Sequence, residues 1–266
     1  MRAKALLVVV VCFLSCSLVF ARTPGTSNLS EPVWDGQFRD LHVPILMYHY
    51  VSDLPAKADA TRRDLTVTPS EFQAHIAYLA QQGYHTISLY QLDNALLIGA
   101  PLPAKPIVLT FDDGYRDDYL NVYPVLRQVG FTGTFFIITG VVDAQNPDYL
   151  SWDQIRAMSN SGMDMEPHTV NHVNLRGQSH DFITQQVQGS INDLAGHTGI
   201  TPHIFAYPDG SYDNNVLAVM RANSIWLAVT TEHGTWETVN GRLALPRLRM
   251  GPRVGVTGLA NLLGAN

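Results

Sequence analysis

Residues 106–114 read Pro-Ile-Val-Leu-Thr-Phe-Asp-Asp-Gly: an apolar run, two adjacent carboxylates and a glycine. A short apolar run between turn-forming residues predicts a buried strand, which here ends at Phe111. Two neighbouring anions at the end of a buried strand cost free energy unless a cation or a proton compensates their charge. Asp112 and Asp113 therefore indicate either a functional site, in which one carboxylate binds a metal and the other faces a water molecule, or a solvated Asp-Gly turn.

Strand-like and helix-like segments alternate on both sides of this stretch. Further apolar runs predict strands at 43–49, 132–139, 163–166, 203–207, 225–229 and 245–250. Helices are predicted over 68–83, 118–129, 179–194 and 213–223, and a short one opens at Ser151 with a capping box. About seven strands alternating with helices predict a single α/β domain with a parallel sheet. If the sheet closes into a barrel, the residues that follow the strands meet at one rim.

The composition excludes several classes of protein. Of the 266 residues, 46% are hydrophobic and 15% are charged, which excludes a disordered chain. The formal net charge is −6, and the basic surface typical of nucleic-acid binding is absent. We therefore expect no nucleic-acid partner, and a neutral or weakly charged substrate fits the charge balance better. The sequence does not specify an oligomeric state.

The N-terminal segment is typical of a secretory signal peptide. Arg2 and Lys4 precede an apolar run over 5–20, which is shorter than the roughly 20 residues of a membrane span. Val19-Phe20-Ala21 supplies the small residues of a cleavage site, so residues 1–21 are predicted to be removed, with an uncleaved anchor as the alternative.

Residues 22–40 are rich in Ser, Thr, Pro and Gly and are predicted to form a linker or N-terminal arm, followed by one domain over 41–266. After cleavage the chain would have no integral membrane span. Both cysteines, Cys12 and Cys16, would leave with the signal. The mature protein is expected in the periplasm, at the cell surface or outside the cell.

Two histidines, His168 and His172, follow the predicted strand at 163–166. At a spacing of four residues they would lie on one side of a helical turn and share a cation. In a chain with ten histidines, the pair also fits two unrelated surface residues. With Asp113 they form an Asp-His-His set whose oxygen and nitrogen donors suit Zn²⁺, with Co²⁺ or Ni²⁺ as replacements.

Polar groups also follow two further predicted strands. Tyr207-Pro208-Asp209-Gly210 is a turn sequence at the end of the strand at 203–207. Backbone N–H groups in such a turn can point at a developing oxyanion, although a plain turn explains the segment as well. His49 ends the first predicted strand, which would place it on the same rim.

In this order, these residues resemble the polysaccharide deacetylases of carbohydrate esterase family 4. Thr110 to Gly114 resembles the family's Thr-Phe-Asp-Asp-Gly motif, His168 to His172 its histidine motif, and Phe205 to Gly210 its aromatic and proline-glycine segment. Pro44 to His49 resembles the branch that acts on exopolysaccharides such as poly-N-acetylglucosamine. The resemblance covers about residues 41–250, and it implies a distorted (β/α) barrel of about seven strands with a divalent metal.

The resemblance also implies a role for each residue of the polar clusters. Asp112 would be the general base, and Asp113, His168 and His172 would bind the metal. The backbone N–H of Asp209 would complete the oxyanion hole with that metal.

Aromatic residues near these motifs are candidates for contact with the substrate. Tyr115, and Tyr207 with its neighbour Pro208, are expected to contact a sugar ring beside the oxyanion site. Trp226 is expected in the core instead.

Two positions depart from the family pattern. Many members have an Arg that orients the base where this chain has Ala206, and many have a C-terminal Leu-x-His whose histidine is the general acid. Here that region, Leu245 to Met250, contains no histidine. In the exopolysaccharide branch the motifs are circularly permuted, and the acid corresponds to His49. The group that orients Asp112 is left unassigned.

Together these residues predict a metal-dependent hydrolase that removes N-acetyl groups from an acetylated, N-acetylglucosamine-containing polysaccharide and releases acetate. One alternative is an O-deacetylase acting on xylan or a peptidoglycan-type substrate. Another is a non-catalytic glycan-binding protein on the same fold, which the missing Arg favours. A glycoside hydrolase fits poorly, because its two carboxyl groups lie roughly 5–9.5 Å apart across the sugar, whereas Asp112 and Asp113 are neighbours.

Overall fold

The computed structural model describes residues 30–264. The predicted signal peptide at 1–21 and the first part of the predicted linker lie outside the described residues. Within residues 30–264, none of the helices has both the length and the apolar character that crossing a membrane requires.

Short strands and longer helices alternate along most of this part of the chain. The strands are β1 (Asp40–His42), β2 (Ile45–Tyr48), β3 (Tyr50–Val51), β4 (Thr66–Val67), β5 (His85–Thr86), β6 (Pro106–Phe111), β7 (Thr134–Ile137), β8 (Asp164–Pro167), β9 (Ile204–Ala206), β10 (Leu227–Val229), β11 (Trp236–Thr238) and β12 (Leu248–Arg249). The α-helices are α1 (Ala60–Leu65), α2 (Pro69–Gln81), α3 (Leu89–Ile98), α4 (Tyr123–Val129), α5 (Thr139–Asp143), α6 (Trp152–Asn160), α7 (His180–Thr198), α8 (Asn214–Ala222) and α9 (Gly255–Gly264).

The central sheet is parallel, as the alternation of strands and helices predicts. Its strands follow the order β12-β2-β6-β7-β8, with β5 added to β6, and β9 and β10 form a separate parallel pair. Parallel strands present all their carboxyl ends at the same edge of a sheet. The residues after β2, β6, β8, β9 and β10 are therefore brought to one rim.

Short contacts at two places connect the β9–β10 pair with the central sheet. Between β8 and β9, the Glu166 carboxylate accepts a hydrogen bond from the Ile204 backbone N–H at 3.0 Å. On the other side, Val229 at the end of β10 forms a parallel bridge with Leu245, in the segment that leads into β12. The architecture is thus the expected α/β one, and it is distorted because the backbone pairing is interrupted at these two places.

Strand β6 shows how the sheet divides the core. Ile107, Leu109 and Phe111 pack in the large cluster beneath α2 and α4, whereas Val108 packs on the inner side with β2, β7, β9 and β10. Successive side chains of a strand point to opposite faces. Thr110 and Asp112 therefore follow Val108 on the inner side, and both are buried.

The helix predicted over 118–129 is divided in two. A π-helical turn over Asp118–Val122 precedes α4, and Pro124 stands in the first turn of α4. Proline lacks a backbone N–H and fits the start of a helix but not its interior, which explains the division. Gly130 ends α4 in the left-handed conformation, at φ +74°.

Several elements were not among those predicted: helices α1, α3, α5 and α9 and strands β1, β3, β4, β5 and β11. Helix α3 is largely buried, so its sequence lacks the contrast between apolar and polar faces on which the prediction depended. Its capping box, Ser88 with Gln91, is present. The second part of the predicted linker packs on this helix: Asp35 N–H donates to Leu97 O at 3.1 Å, and Arg39 Nη1 donates to Leu96 O at 3.1 Å.

Candidate active site

A buried carboxylate, Asp112, is held by a buried guanidinium, Arg247. Arg247 Nη1 and Nη2 donate to the two oxygens of Asp112 at 2.7 and 2.6 Å. Arg247 also donates to Thr110 Oγ1 at 3.0 Å and to Thr230 O at 2.8 Å. The two side chains are 2% exposed or less. The two parallel hydrogen bonds fix the orientation of the carboxylate and also stabilise its negative charge.

Arg247 keeps Asp112 ionised although the site is closed to solvent. Burial raises the pKa of the Asp112 carboxyl, but the charge and hydrogen bonds of Arg247, followed by His49, outweigh it. The pKa of Asp112 therefore lies below its ordinary value. A carboxylate in this state is ionised at neutral pH, so it is available as a general base.

Arg247 supplies the guanidinium that the sequence left unassigned. The motif position expected to hold an Arg is Ala206, which is buried in β9. Arg247 reaches Asp112 instead from the other side, from the segment just before β12. One feature of the sequence pointed to Arg247: it is a cation inside the apolar run at 245–250. Arginine is almost never fully buried without a partner, so a buried arginine at this position implies a nearby carboxylate.

Asp113, His168 and His172 form a cluster at the same rim. One possible ligand atom from each lies within 4.8 Å of the others. The distances from Asp113 Oδ1 to the Nε2 atoms of His168 and His172 are 3.4 and 3.3 Å. Donors bound to one zinc ion lie roughly 3.3–3.5 Å apart, because tetrahedral zinc has ligand distances of about 2.0–2.2 Å.

The chemistry of this cluster fits a divalent cation. Asp113 Oδ1 is buried and has no hydrogen bond among the described residues, although the two imidazole Nε2 atoms lie 3.3 and 3.4 Å from it. A buried anion normally has a partner or binds a metal. The second ring nitrogen of His168, Nδ1, lies 2.7 Å from Ala206 O. Such a contact fixes the orientation of a metal-binding imidazole and leaves Nε2 to the ion.

Both histidines lie on a tight turn after β8, and the prediction that a helical turn pairs them is wrong. Thr169 and His172 have positive φ angles of +67° and +50°, and the segment contains no helix. Gly140 N–H anchors the turn by donating to Val170 O at 2.8 Å. A Cβ atom on Gly140 would approach that oxygen to 2.6 Å, so this position requires glycine.

Asp113 itself leaves the strand in an unusual backbone conformation. Its φ is +76°, and that of Gly114 is +72°. Non-glycine residues with positive φ are uncommon and concentrate at functional sites. This turn directs the Asp113 side chain toward His168 and His172, whereas the Asp112 side chain remains hydrogen-bonded to Arg247. Burial raises the pKa of Asp113, but the neighbouring His168, His49 and His172 offset this and hold it below its ordinary value.

His49 lies beside both carboxylates, as its place at the end of β2 predicts. His49 Nε2 is 3.8 Å from Asp112 Oδ2, and the residue is 9% exposed. Burial lowers the pKa of His49, although the charges of Asp112 and Asp113 oppose this. A lowered pKa makes the protonated imidazole a stronger acid and also reduces the fraction of His49 that is protonated at neutral pH.

The turn at 207–210 lies at the rim, but its residues differ in access. Tyr207 is 1% exposed, its hydroxyl donates to Leu243 O at 2.9 Å, and Pro208 is also buried. The expected contact of these two side chains with a sugar ring is therefore not supported, because the turn after β9 leaves both of them buried. Asp209 is exposed and has a φ of +58°. Burial and the charge of His168 lower the pKa of His172, and the negative charge of Asp209 partly opposes this.

Tyr115 lies directly beside the Asp113 turn and is half-buried. Its ring stacks on that of Tyr50 at a centroid distance of 3.7 Å and contacts that of Tyr149 at 5.1 Å. Trp226 is 7% exposed and lies in the core, as expected.

Known proteins resemble this chain over most of its described length. A family model described as polysaccharide deacetylase matches residues 99–226. YxkH of Bacillus subtilis (strain 168), whose name places it among polysaccharide deacetylases, is 31% identical over 233 residues. That match covers 85% of this chain and 77% of YxkH. The chain belongs to the polysaccharide deacetylase family.

Solved structures agree with this family assignment. A deacetylase of Streptococcus pyogenes named PplD, in complex with acetate, is similar in fold with a TM-score of 0.78 and 29% identity. That match covers 85% of this chain and 99% of PplD. The fold and the family resemblance predicted from the motifs are confirmed.

A second curated relative has a named substrate. The poly-beta-1,6-N-acetyl-D-glucosamine N-deacetylase of Escherichia coli (strain K12) is 28% identical over 160 residues. The match covers 55% of this polysaccharide deacetylase but only 22% of the Escherichia coli protein. This chain therefore corresponds to about a fifth of that relative.

Proposed function

We propose that this chain is an exported, metal-dependent hydrolase that removes N-acetyl groups from N-acetylglucosamine-containing polysaccharide and releases acetate. The observation that carries the proposal is the position of Asp112, held by Arg247 and ionised, directly beside the Asp113–His168–His172 cluster. The named activity of the Escherichia coli relative and the acetate in the PplD complex support the choice of substrate and product.

The cluster would hold the metal through Asp113 Oδ1, His168 Nε2 and His172 Nε2. A bound divalent ion supplies a Lewis acid for the acetyl carbonyl and lowers the pKa of a water molecule toward about 7. The donor set suits zinc, with cobalt or nickel as replacements.

The protein residues around the cluster divide the proton transfers between them. Asp112 accepts a proton from the attacking water, because Arg247 keeps it ionised and oriented. The water oxygen bonds to the carbonyl carbon, and the backbone N–H of Asp209 donates to the oxyanion that forms. The carbon–nitrogen bond then breaks, and His49, in its protonated form, gives a proton to the leaving amine. The proton that Asp112 took from the water then passes to His49, which lies 3.8 Å from it, and completes the cycle. Acetate and a free amino sugar result, and no covalent intermediate with the enzyme is needed.

Arg247 also bears on the alternative functions. The non-catalytic glycan-binding alternative depended on the absence of an orienting guanidinium, and Arg247 now occupies that place on Asp112. The glycoside hydrolase alternative needs two carboxylates across a sugar, whereas Asp113 lies against two imidazoles.

The proposal is tested by acetate release from the purified, zinc-loaded protein. Substrates are N-acetylglucosamine oligomers of several linkages and acetylated xylan, and the control is Asp112→Asn, which should retain zinc and lose turnover. Release from a glucosamine oligomer supports the proposal and identifies the linkage. Release only from xylan would contradict the proposed N-deacetylase and indicate an O-deacetylase instead. Zinc and glycan binding without any acetate release would contradict an enzymatic role.

A further inference from the structure

A polar and aromatic pocket of about 420 Å³ lies next to the Asp113 turn. Its lining includes Arg116, Gln145, Asn146, Tyr149 and Trp152. None of these residues belongs to the proposed catalytic group. We call it the Trp152 pocket.

Backbone hydrogen bonds connect this pocket to the catalytic rim. Leu150 N–H donates to Gly114 O at 2.9 Å, and Arg116 N–H donates to Asp148 O at 2.9 Å. Tyr115 and Tyr149 form a β-bridge across the same two segments. The segment that carries Tyr149 is thus bonded directly to the turn that carries Asp113. A chain-like ligand with one unit at Asp113 would extend along the Tyr115 and Tyr149 rings toward the pocket.

The pocket walls have the mixed chemistry that a sugar unit needs. Tyr149 and Trp152 offer aromatic surface for the C–H groups of a pyranose ring, and Asn146, Gln145 and Arg116 offer donors and acceptors for its hydroxyl and acetamido groups. The charged residues of the lining are Arg116 and Asp153, and Asp153 also pairs with Arg156 outside the lining. One cation without a cluster of like charges suits hydrogen bonds to a sugar better than binding of a multiply charged ligand.

Trp152 is held in place before any ligand binds. Its indole N–H donates to Asp143 Oδ1 at 2.8 Å, and its ring stacks on His197 with centroids 3.9 Å apart and an interplanar angle of 7°. A side chain that is already ordered loses little entropy on binding. Its rigidity is therefore the property expected of a residue that positions a ligand.

We propose that the Trp152 pocket binds a second sugar unit of the same glycan chain whose reacting unit lies at Asp112 and Asp113. This inference rests on the proposed function and adds to it that the enzyme recognises at least two linked sugar units. The second unit interacts equally in the ground state and the transition state, so it lowers KM more than it raises kcat.

Binding is measured first, in a zinc-loaded Asp112→Asn background that cannot turn over. Isothermal titration uses β-1,6-linked N-acetylglucosamine oligomers of one to five units. We expect affinity to rise at least about tenfold between the monomer and the longer oligomers, and we expect Arg116→Ala and Trp152→Ala to remove this increase. Trp152→Phe keeps an aromatic ring and should retain most of it. If the Trp152 variants do not fold, Arg116→Ala alone decides the outcome.

A tryptophan outside the Trp152 pocket provides the control. Trp236 is 58% exposed and lines a separate, more apolar pocket of about 610 Å³ beside α9. Trp236→Ala should leave the length dependence unchanged. The inference is overturned if oligomer affinity does not rise with length, if it rises equally in Arg116→Ala and Trp152→Ala, or if Trp236→Ala removes the increase.

Kinetics with Asp112 intact separate this inference from the proposed function. In Arg116→Ala and Trp152→Ala, kcat/KM for oligomers should fall about tenfold through KM, while hydrolysis of a small acetyl ester stays unchanged. Unchanged KM for the oligomers would overturn the inference while the deacetylase function stands. Absence of acetate release from the wild-type protein would instead contradict the proposed function. The titration data would then still show whether the Trp152 pocket binds a second sugar unit.

Discussion

Arg247 binds Asp112 through two parallel hydrogen bonds of 2.7 and 2.6 Å, and the pair is closed to solvent. The two residues are 135 positions apart in the sequence and meet because β12 and β6 flank β2. Breaking such a pair from one side leaves a buried charge without a partner, which typically costs about 3–5 kcal/mol. The same contact controls both the orientation and the ionisation of the proposed base.

Replacement of Arg247 should impair catalysis in a pH-dependent way. Arg247→Lys keeps the positive charge but loses the bidentate geometry, and we expect kcat to fall about 10²-fold because the base is displaced. In Arg247→Ala, burial dominates and the pKa of Asp112 rises, so the acid limb of the kcat/KM profile should move to higher pH. Profiles measured between pH 4 and 9 check both expectations.

Arg249 is the matched control for this experiment. It lies two residues further on, is exposed, and approaches Asp64 at 3.6 Å. Arg249→Lys should change stability by less than about 0.5 kcal/mol and leave the profile unchanged. An acid limb at the same pH in Arg247→Ala and the wild-type protein would contradict the proposed role of Arg247.

Replacement of His49 should affect substrates according to their leaving group. An amine needs a proton to leave, whereas an activated phenol does not. General acid catalysis contributes about 10²–10⁴-fold, so His49→Gln should lose about that factor on an N-acetyl sugar and much less on an activated aryl acetate. Equal losses on both substrates would exclude His49 as the proton donor. His85→Gln, at an exposed position, is the control.

His172 should determine metal binding. Its side chain is 37% exposed, so replacement is expected to preserve the fold. At a zinc concentration 100 times the dissociation constant, binding should stabilise the wild-type protein by about 2.7 kcal/mol. His172→Ala should lose most of this effect, measured by chemical denaturation with and without zinc. His180→Ala removes another exposed histidine and should behave like wild type; a full zinc effect in His172→Ala would contradict the ligand assignment.

The sequence predicted those parts of the site that local pattern encodes. The strand over 106–111 has the same bounds as β6, and its carboxylates point where a strand end would direct them. The spacing of His168 and His172 correctly indicated that the two side chains lie close together, but through a helical turn that does not exist. Positive φ angles at Thr169 and His172 bring the rings together instead, and such angles have no clear signature in non-glycine residues.

Arg247 could not be assigned from the sequence for a different reason. Its partner depends on which strand lies next to β2, and that neighbour is fixed by long-range packing. The family pattern directed attention to Ala206, on β9, while the guanidinium approaches from the β12 side. The same positive charge can reach Asp112 from more than one strand, and here it comes from the segment before β12.

Glu237 should make the stability of the fold depend on pH. It is fully buried in β11, and neither carboxylate oxygen has a hydrogen-bond partner among the described residues. Burial raises its pKa from 4.5 to about 8. Below pH 4.5 the folded and unfolded states are both protonated. Between pH 4.5 and about 8 only the unfolded state ionises readily, so the free energy of unfolding should fall as pH rises.

Glu237→Gln should remove this part of the pH dependence, because glutamine does not ionise. We expect the variant to match the wild-type protein near pH 4.5 and to exceed it at pH 8, by at most about 1.4 kcal/mol for each unit of the pKa shift. Urea denaturation at pH 4.5, 6 and 8 measures the difference. Glu232→Gln, at an exposed position five residues earlier, should retain the wild-type slope. Parallel slopes for wild type and Glu237→Gln would show that the Glu237 carboxyl ionises in the folded protein as it does in the unfolded chain.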